Sequence, residues 1–314
     1  MRVLVTGGTG YLGRAIVHAL DRRGHEPVVF ARGATAAGLP GRAIDGDVRD
    51  RTSLIAAARG CEAMCHSAAL VTLWRRDPSE FDRVNVGGLE HTLDAVREAG
   101  VRRLVYTSSF LARPPAGRAT PIAANDYQRT KVAADAVARR AQAGGAPIVI
   151  VYPGVVYGPG VLTEGNLLGR LLADHLAGRL PGLIGAEHTW SYARVDDVAA
   201  AHVAAIEHPA PAAAYELGGE NVSQMRPFEI ARRLTGRALP RRLPYWLAAV
   251  VGRLEVARAR LTGRMPQLTP GTVEIFRHDW PVASADAQRD LGFRVTPLEE
   301  GVAATLDALR TARS

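Results

Sequence analysis

A chain of 314 residues is long enough for one large α/β domain, or for a main domain with a smaller appendage. Its 47% apolar and 22% charged residues suit an ordinary folded protein, and no run approaches the ~20 apolar residues of a membrane span. The net charge of +8 comes from arginines scattered among acids along the whole chain, which argues against a nucleic-acid-binding face.

The chain starts directly on the apolar run "RVLVTG", with no basic segment, apolar stretch and small-residue cleavage site before it, so a cytoplasmic protein is expected. Helical spacing follows in "LGRAIVHALDRRG", then a strand in "PVVFAR", a helix in "RTSLIAAARG" and a strand in "EAMCHSAA". Next come the helix "GGLEHTLDAVREAG", the strand "RRLVYTSS", the helix "KVAADAVARRAQAGG" and the strand "PIVIVYPG". Strands alternating with helices predict a parallel sheet covered on both faces, a doubly wound Rossmann fold. Past Gly160 the pattern loosens. "YARVDDVAAAHVAAIEH" and "PAAAYELGG" read as a return to the sheet, and residues 221–300 as a small, mostly helical cap. The expected division is a dinucleotide-binding domain over 1–158 that regains 192–218, with 159–191 and 219–314 forming a substrate-binding cap.

"VLVTGGTGYLGRAI" sets Gly7, Gly10 and Gly13 between the first strand and first helix. Glycine is needed in such a turn where φ is positive, where a pyrophosphate nears the backbone and where helix packs on strand. The helix start then offers free N–H groups to phosphate. Tyr11 and Leu12 in this turn are further candidate cofactor contacts, as are Val48 and, after the fourth strand, Ala68 and Ala69. The second strand ends "VVFARGA" without an acid, and Arg32 is placed to clamp a ribose 2′-phosphate, favouring NADP(H) over NAD(H). Asp47 in "GDVRD" stands where a carboxylate can accept from an adenine amino group. Cys61, Cys65 and His66 do not have metal- or haem-binding spacing, so no metal is expected; Cys65 reads as a buried thiol and His66 as structural. Asp196 and Asp197 read as the cap and first turn of a helix.

"NDYQRTKVAAD" contains Lys131, the one lysine among 39 lysines and arginines. Tyr127 precedes it by four positions, so on a helix both share a face with Cβ atoms ~6 Å apart. A free phenol, with a pKa of ~10, is a poor base at neutral pH, and a neighbouring cation stabilises its phenolate. An ammonium is a compact point charge with three donors, whereas guanidinium is a broad planar fork. The position therefore needs a small cation that can also hold ribose hydroxyls. Ser109, at the end of the strand in "VYTSSF", would bind the substrate oxygen while Tyr127 exchanges the proton, with Ser108 the alternative.

Together "TGGTGYLG", "YTSS", "YQRTK", "YPGVVYGPG" and "RVDDVAAAHV" resemble the extended short-chain dehydrogenase/reductase, or NAD-dependent epimerase/dehydratase, superfamily across nearly the whole chain. "AALVTLW", "VNVGGLEHTL", "GRLPGLIG" and "YELGGENVS" are most similar to its dihydroflavonol-reductase-like and farnesol dehydrogenase-like group. The resemblance implies a Ser109–Tyr127–Lys131 triad with Asn85 as a helix-kinking polar residue. It also implies nicotinamide contacts from Pro153 and Val155, and a homodimer paired through two helices per subunit. Plant members of the group are described as NAD-dependent, which stands against the reading of Arg32. The 17 residues between Ser109 and Tyr127 are fewer than the group's pattern, so a loop beside the site is shortened.

Trp74, Trp190, Tyr192 and the segment 244–263 supply large apolar surfaces on the substrate side, and no obvious sugar-binding set accompanies them. That segment fits a packed cap helix, a substrate lid or a membrane-facing helix. The reading is an NAD(P)-dependent oxidoreductase interconverting an alcohol and a carbonyl on a small, largely apolar substrate. A nucleotide-sugar epimerase or dehydratase is the first alternative. A non-catalytic dinucleotide sensor is the second, and the serine–tyrosine–lysine set argues against it.

Overall fold

The computed structural model describes residues 1–311. Its strands are β1 (Arg2–Thr6), β2 (Glu26–Ala31), β3 (Arg42–Asp45), β4 (Ala63–His66), β5 (Arg103–Thr107), β6 (Ile148–Pro153), β7 (Val155–Tyr157), β8 (Thr189–Arg194), β9 (Ala214–Leu217) and β10 (Glu220–Ser223). The helices are α1 (Tyr11–Arg22), α2 (Arg51–Ala58), α3 (Ser79–Phe81), α4 (Gly88–Ala99), α5 (Asp126–Ala143), α6 (Leu167–Leu176), α7 (Val195–Glu207), α8 (Arg226–Thr235), α9 (Tyr245–Thr262), α10 (Pro270–Ile275), α11 (Ala285–Leu291) and α12 (Leu298–Thr311). A π-helical stretch, Asp82–Gly87, joins α3 to α4.

The main sheet is seven-stranded in the order β3-β2-β1-β4-β5-β6-β9. Every neighbouring pair in it is parallel. Its strands are apolar at nearly every position because helices cover both faces. Alternation decides the face: Val3 and Val5 pack towards α1 and α7, while Leu4 between them packs towards α2, α4 and α5. The order reverses between β1 and β4, where doubly wound sheets open a crevice at the carboxyl ends of the strands. β3, "RAID", is an edge strand with no fully buried residue, and its weak apolar pattern explains why it is hard to read from sequence.

The strand expected in "YARV" to rejoin the main sheet does not do so. As β8 it pairs parallel with β7 and antiparallel with β10 in a separate three-stranded sheet, and only α7 and β9 return to the main layer. Gly154 makes this possible: a Cβ there would sit 2.7 Å from the Ser191 carbonyl oxygen, so the chain leaving β6 runs directly against β8. This small sheet packs with α6, α8 and α12 around Tyr157, Trp190, Phe228 and Leu306, which form the core of the mostly helical C-terminal cap.

The glycine turn depends on close backbone contact. A Cβ on Gly13 would lie 2.1 Å from the Gly7 carbonyl oxygen, a backbone atom that cannot yield. We expect Gly13→Ala to destabilise the fold by about 1–3 kcal/mol through overpacking, outweighing alanine's ~1 kcal/mol gain in helix propensity. Urea unfolding measures this, and an unchanged or higher midpoint would contradict it.

Candidate active site

Parallel register brings the strand ends to one edge. Thr6 pairs with Phe30 and His66, His66 with Tyr106, and Thr107 with Val151. Above β1, Gly7 takes the left-handed conformation (φ 69°) and donates its N–H to Phe30 O at 3.0 Å, while Gly10 N–H bonds Gly7 O at 2.9 Å. A Cβ on Gly7 would strike the Ala68 backbone at 2.7 Å, so β4's exit loop lies against the turn. Gly10 caps α1 without any side-chain hydrogen bond. The first N–H groups of that helix are left for a ligand, and the bare glycine surface admits a pyrophosphate, so the turn fits a dinucleotide. Tyr11 turns its ring away to pack near Gly158 and Gly160, which leaves its backbone as the part that faces the turn.

Arg32 follows β2, exposed, and its guanidinium makes no ion pair among the described residues. Asp47 is gripped by Arg49 at 3.0 and 2.7 Å, which holds its carboxyl below the usual range, and Arg32 adds to that effect. Val48 is buried against Gly88 at the start of α4, and Leu12 and Ala69 are half-buried beside the crevice. Pro153 ends β6 and Val155 opens β7, both buried at the same carboxyl edge.

Tyr127 and Lys131 lie on α5, whose start is fixed by Asn125: its side chain accepts from Gln128 N–H at 2.8 Å. Ser109 caps a short 3₁₀ turn, Phe110–Ala112, accepting from Leu111 N–H at 3.2 Å. Burial raises the Tyr127 phenol to about 12, against a smaller lowering by the neighbouring Ser109 hydroxyl. The two serines separate cleanly. Ser108 turns inward and donates to Asp135 Oδ1 at 3.2 Å, leaving Ser109 as the serine next to the tyrosine. Lys131 is only 4% exposed and donates from Nζ to Thr107 O at 3.0 Å, over the Tyr106 ring at 5.5 Å. Burial lowers its pKa to about 8, with Asp135 opposing. Asn85 lies within the π-helical stretch. Its Oδ1 accepts from Leu70 N–H at 2.7 Å and its Nδ2 donates to Thr130 Oγ1 at 2.9 Å, tying the 67–72 loop to α5.

Residues 3–218 match the NAD dependent epimerase/dehydratase family. The chain belongs to that family. It is 30% identical over 310 residues to a sterol demethylase protein B of Methylococcus capsulatus, covering 93% of each chain. A putative dihydroflavonol 4-reductase of Synechocystis is 27% identical over 318 residues, covering 95% of this chain and 92% of the relative. Among solved structures, gox2253 superposes with a TM-score of 0.81 at 27% identity, over 99% of this chain and 98% of that one. The protein is thus an oxidoreductase of the extended short-chain dehydrogenase/reductase type, from an NAD-dependent family.

Several residues around the site were not singled out by sequence reasoning. Gln128, fully buried, accepts from Ala124 N–H at 3.0 Å and donates to Leu111 O at 3.2 Å, coupling the Ser109 turn to the start of α5. Asp135, one turn beyond Lys131, gathers Tyr152 (2.6 Å), Ser108 (3.2 Å) and Arg139 (2.8 Å). The i, i+4 spacing from Lys131 to Asp135 was a readable signal for it. His66 ends β4 with Nδ1 held by Thr6 at 2.8 Å and Thr92 at 3.0 Å, and burial depresses its pKa to about 3. Neither Asp196 nor Asp197 caps α7, because Arg194 holds that position. Both lie in the first turn, where Asp197 instead accepts from Thr296 N–H at 3.0 Å. Both cysteines are buried and free, and burial raises the Cys65 thiol to about 12. No cluster of metal-binding side chains occurs among the described residues.

Lys131 sits below its ordinary pKa, so its charge is held at low pH and lost as pH rises through about 8. Asp135 supports the charged form, so Asp135→Asn should lower that pKa further. We expect the alkaline weakening of dinucleotide binding, followed by fluorescence titration across pH, to move to lower pH in Asp135→Asn. An unmoved limb would show that Asp135 does not tune Lys131.

Proposed function

We propose that the protein reduces the carbonyl of a small, largely apolar substrate, or runs the reverse alcohol oxidation, with NADP(H) preferred over NAD(H). The observation that carries this reading is what surrounds Tyr127. It packs against the apolar cluster of the cap, whose members include Leu111, Trp190 and Trp280, and Phe110 packs against the same cluster. Phe110 lies 5.9 Å from Trp190 and 5.6 Å from Trp280, ring to ring, and Trp190 lies 4.7 Å from Phe276. Such surroundings favour a hydrocarbon body over a nucleotide sugar. The names of two relatives, a putative dihydroflavonol 4-reductase and a sterol demethylase protein B, support a largely apolar substrate.

When bound, the nicotinamide would supply or take up the hydride. Tyr127, neutral across the physiological range with a pKa near 12, is suited to hand its phenolic proton to the carbonyl oxygen. Ser109 would hold that oxygen with its hydroxyl. Lys131 spends one donor on Thr107 O and would keep two for ribose hydroxyls. For the coenzyme, the free Arg32 guanidinium and the lack of an acid at the end of β2 support a 2′-phosphate.

Purified protein should oxidise NADPH faster than NADH with carbonyls drawn from prenyl aldehydes, steroid ketones, flavanonols and short ketones. Tyr127→Phe should cut turnover by about 10²-fold or more while cofactor affinity stays near wild type. Arg32→Ala should erase the preference for NADPH. Nucleotide-sugar interconversion without net cofactor turnover would replace this reading with the epimerase one.

A further inference from the structure

Helix α9 is apolar on the side it shows to solvent. It rests on the protein through small residues, Ala248, Gly252 and Ala259, and Gly252 lies so close to α10 that a Cβ would meet the Thr269 backbone at 3.0 Å. The helical repeat sets Trp246, Leu247, Val250, Val251, Leu254 and Leu261 on the opposite side. Trp246 is 69%, Leu254 66% and Leu261 85% exposed. A helix on a protein surface is ordinarily polar on its outer face, and a contiguous apolar patch marks an interaction site.

The charges around the patch indicate what it meets. Arg253 and Arg260 border the apolar stripe, Arg241 and Arg242 precede the helix, and Arg264 follows it. All five are exposed and lack ion-pair partners among the described residues. The one acid of α9, Glu255, is already used by Arg258 at 2.7 Å and by Gln267 N–H at 3.1 Å. A second copy of the chain would bring an identical set of uncompensated arginines against these. We propose that α9 seats the protein on an anionic lipid surface, with its apolar stripe at the headgroup–acyl boundary and the arginines on lipid phosphates. No described helix is long and apolar enough to cross a membrane, so α9 would lie on the surface rather than span it. The docked face adjoins the candidate site. Met265, just past α9, accepts from Thr72 Oγ1 at 3.7 Å, and Gly271 of α10 abuts the Ala124 backbone immediately before α5. An apolar substrate dissolved in lipid would then be delivered beside Tyr127. The docking itself does not depend on the reductase reading.

The test is co-sedimentation of the full chain with phosphatidylcholine vesicles, with and without phosphatidylglycerol. The variants are Trp246→Ser/Leu254→Ser and Arg253→Gln/Arg260→Gln. All four side chains are exposed, and circular dichroism checks that each variant is folded. Expected are binding to the phosphatidylglycerol vesicles alone, weakening as salt rises, and a loss of about tenfold or more in each variant. Equal binding to both vesicles, binding that survives both variants, or no binding at all would overturn the proposal. Lipid-independent self-association, seen by sedimentation velocity and abolished by Trp246→Ser/Leu254→Ser, would assign the face to a second copy instead.

Discussion

A buried ammonium organises this site. Removing a lysine charge from water is costly unless it gains partners in a fixed geometry, and the fold provides them from three directions. The Thr107 carbonyl accepts from Nζ, the Tyr106 ring lies beneath the charge, and Asp135 supplies a counter-charge one helical turn away. Those partners come from the end of β5 and from α5, so the pairing of β5 with β4 and β6 and the seating of α5 on the sheet both serve this one position. The remaining depression of the Lys131 pKa shows that the compensation is partial. A cation held close to its own titration responds strongly to what binds beside it.

The same economy appears in the residues around it. Gln128 links the start of α5 to the Ser109 turn, and Asn85, at a π-helical bulge where the backbone pattern is already broken, links α5 to the loop after β4. Neither is placed to react. Each fixes the distance between segments that carry candidate reactive groups, through buried polar contacts that fail together if one partner is lost.

Much of this was legible in the sequence, for local reasons. The main-sheet strands apart from β3 are short apolar runs closed by glycine or hydroxyl residues, and the glycine turn and the Tyr127–Lys131 spacing are set by nearest neighbours along the chain. What escaped depends on distant pairing. β3 has little apolar pattern to read, and β8 joins the small sheet because Gly154 and Gly219 let its backbone approach closely, a contact invisible before folding. Ser108 and Ser109 were adjacent candidates, and only the inward turn of Ser108 towards Asp135 separates them. The exposed stripe of α9 was readable as apolar periodicity, but its direction was not. The same pattern would suit a core helix, and three small residues turn it outward.

Position 131 is proposed to require a compact cation and not merely a positive charge. Below pH 8, where Lys131 is charged, Lys131→Arg keeps the positive charge and changes its shape, so dinucleotide affinity and carbonyl-dependent cofactor oxidation of that variant, measured there, test this directly. Both should fall well below wild type while the protein remains folded. Near-normal binding and turnover would contradict this requirement, because the lone lysine would then be exchangeable with the residue that serves every other basic position in the chain.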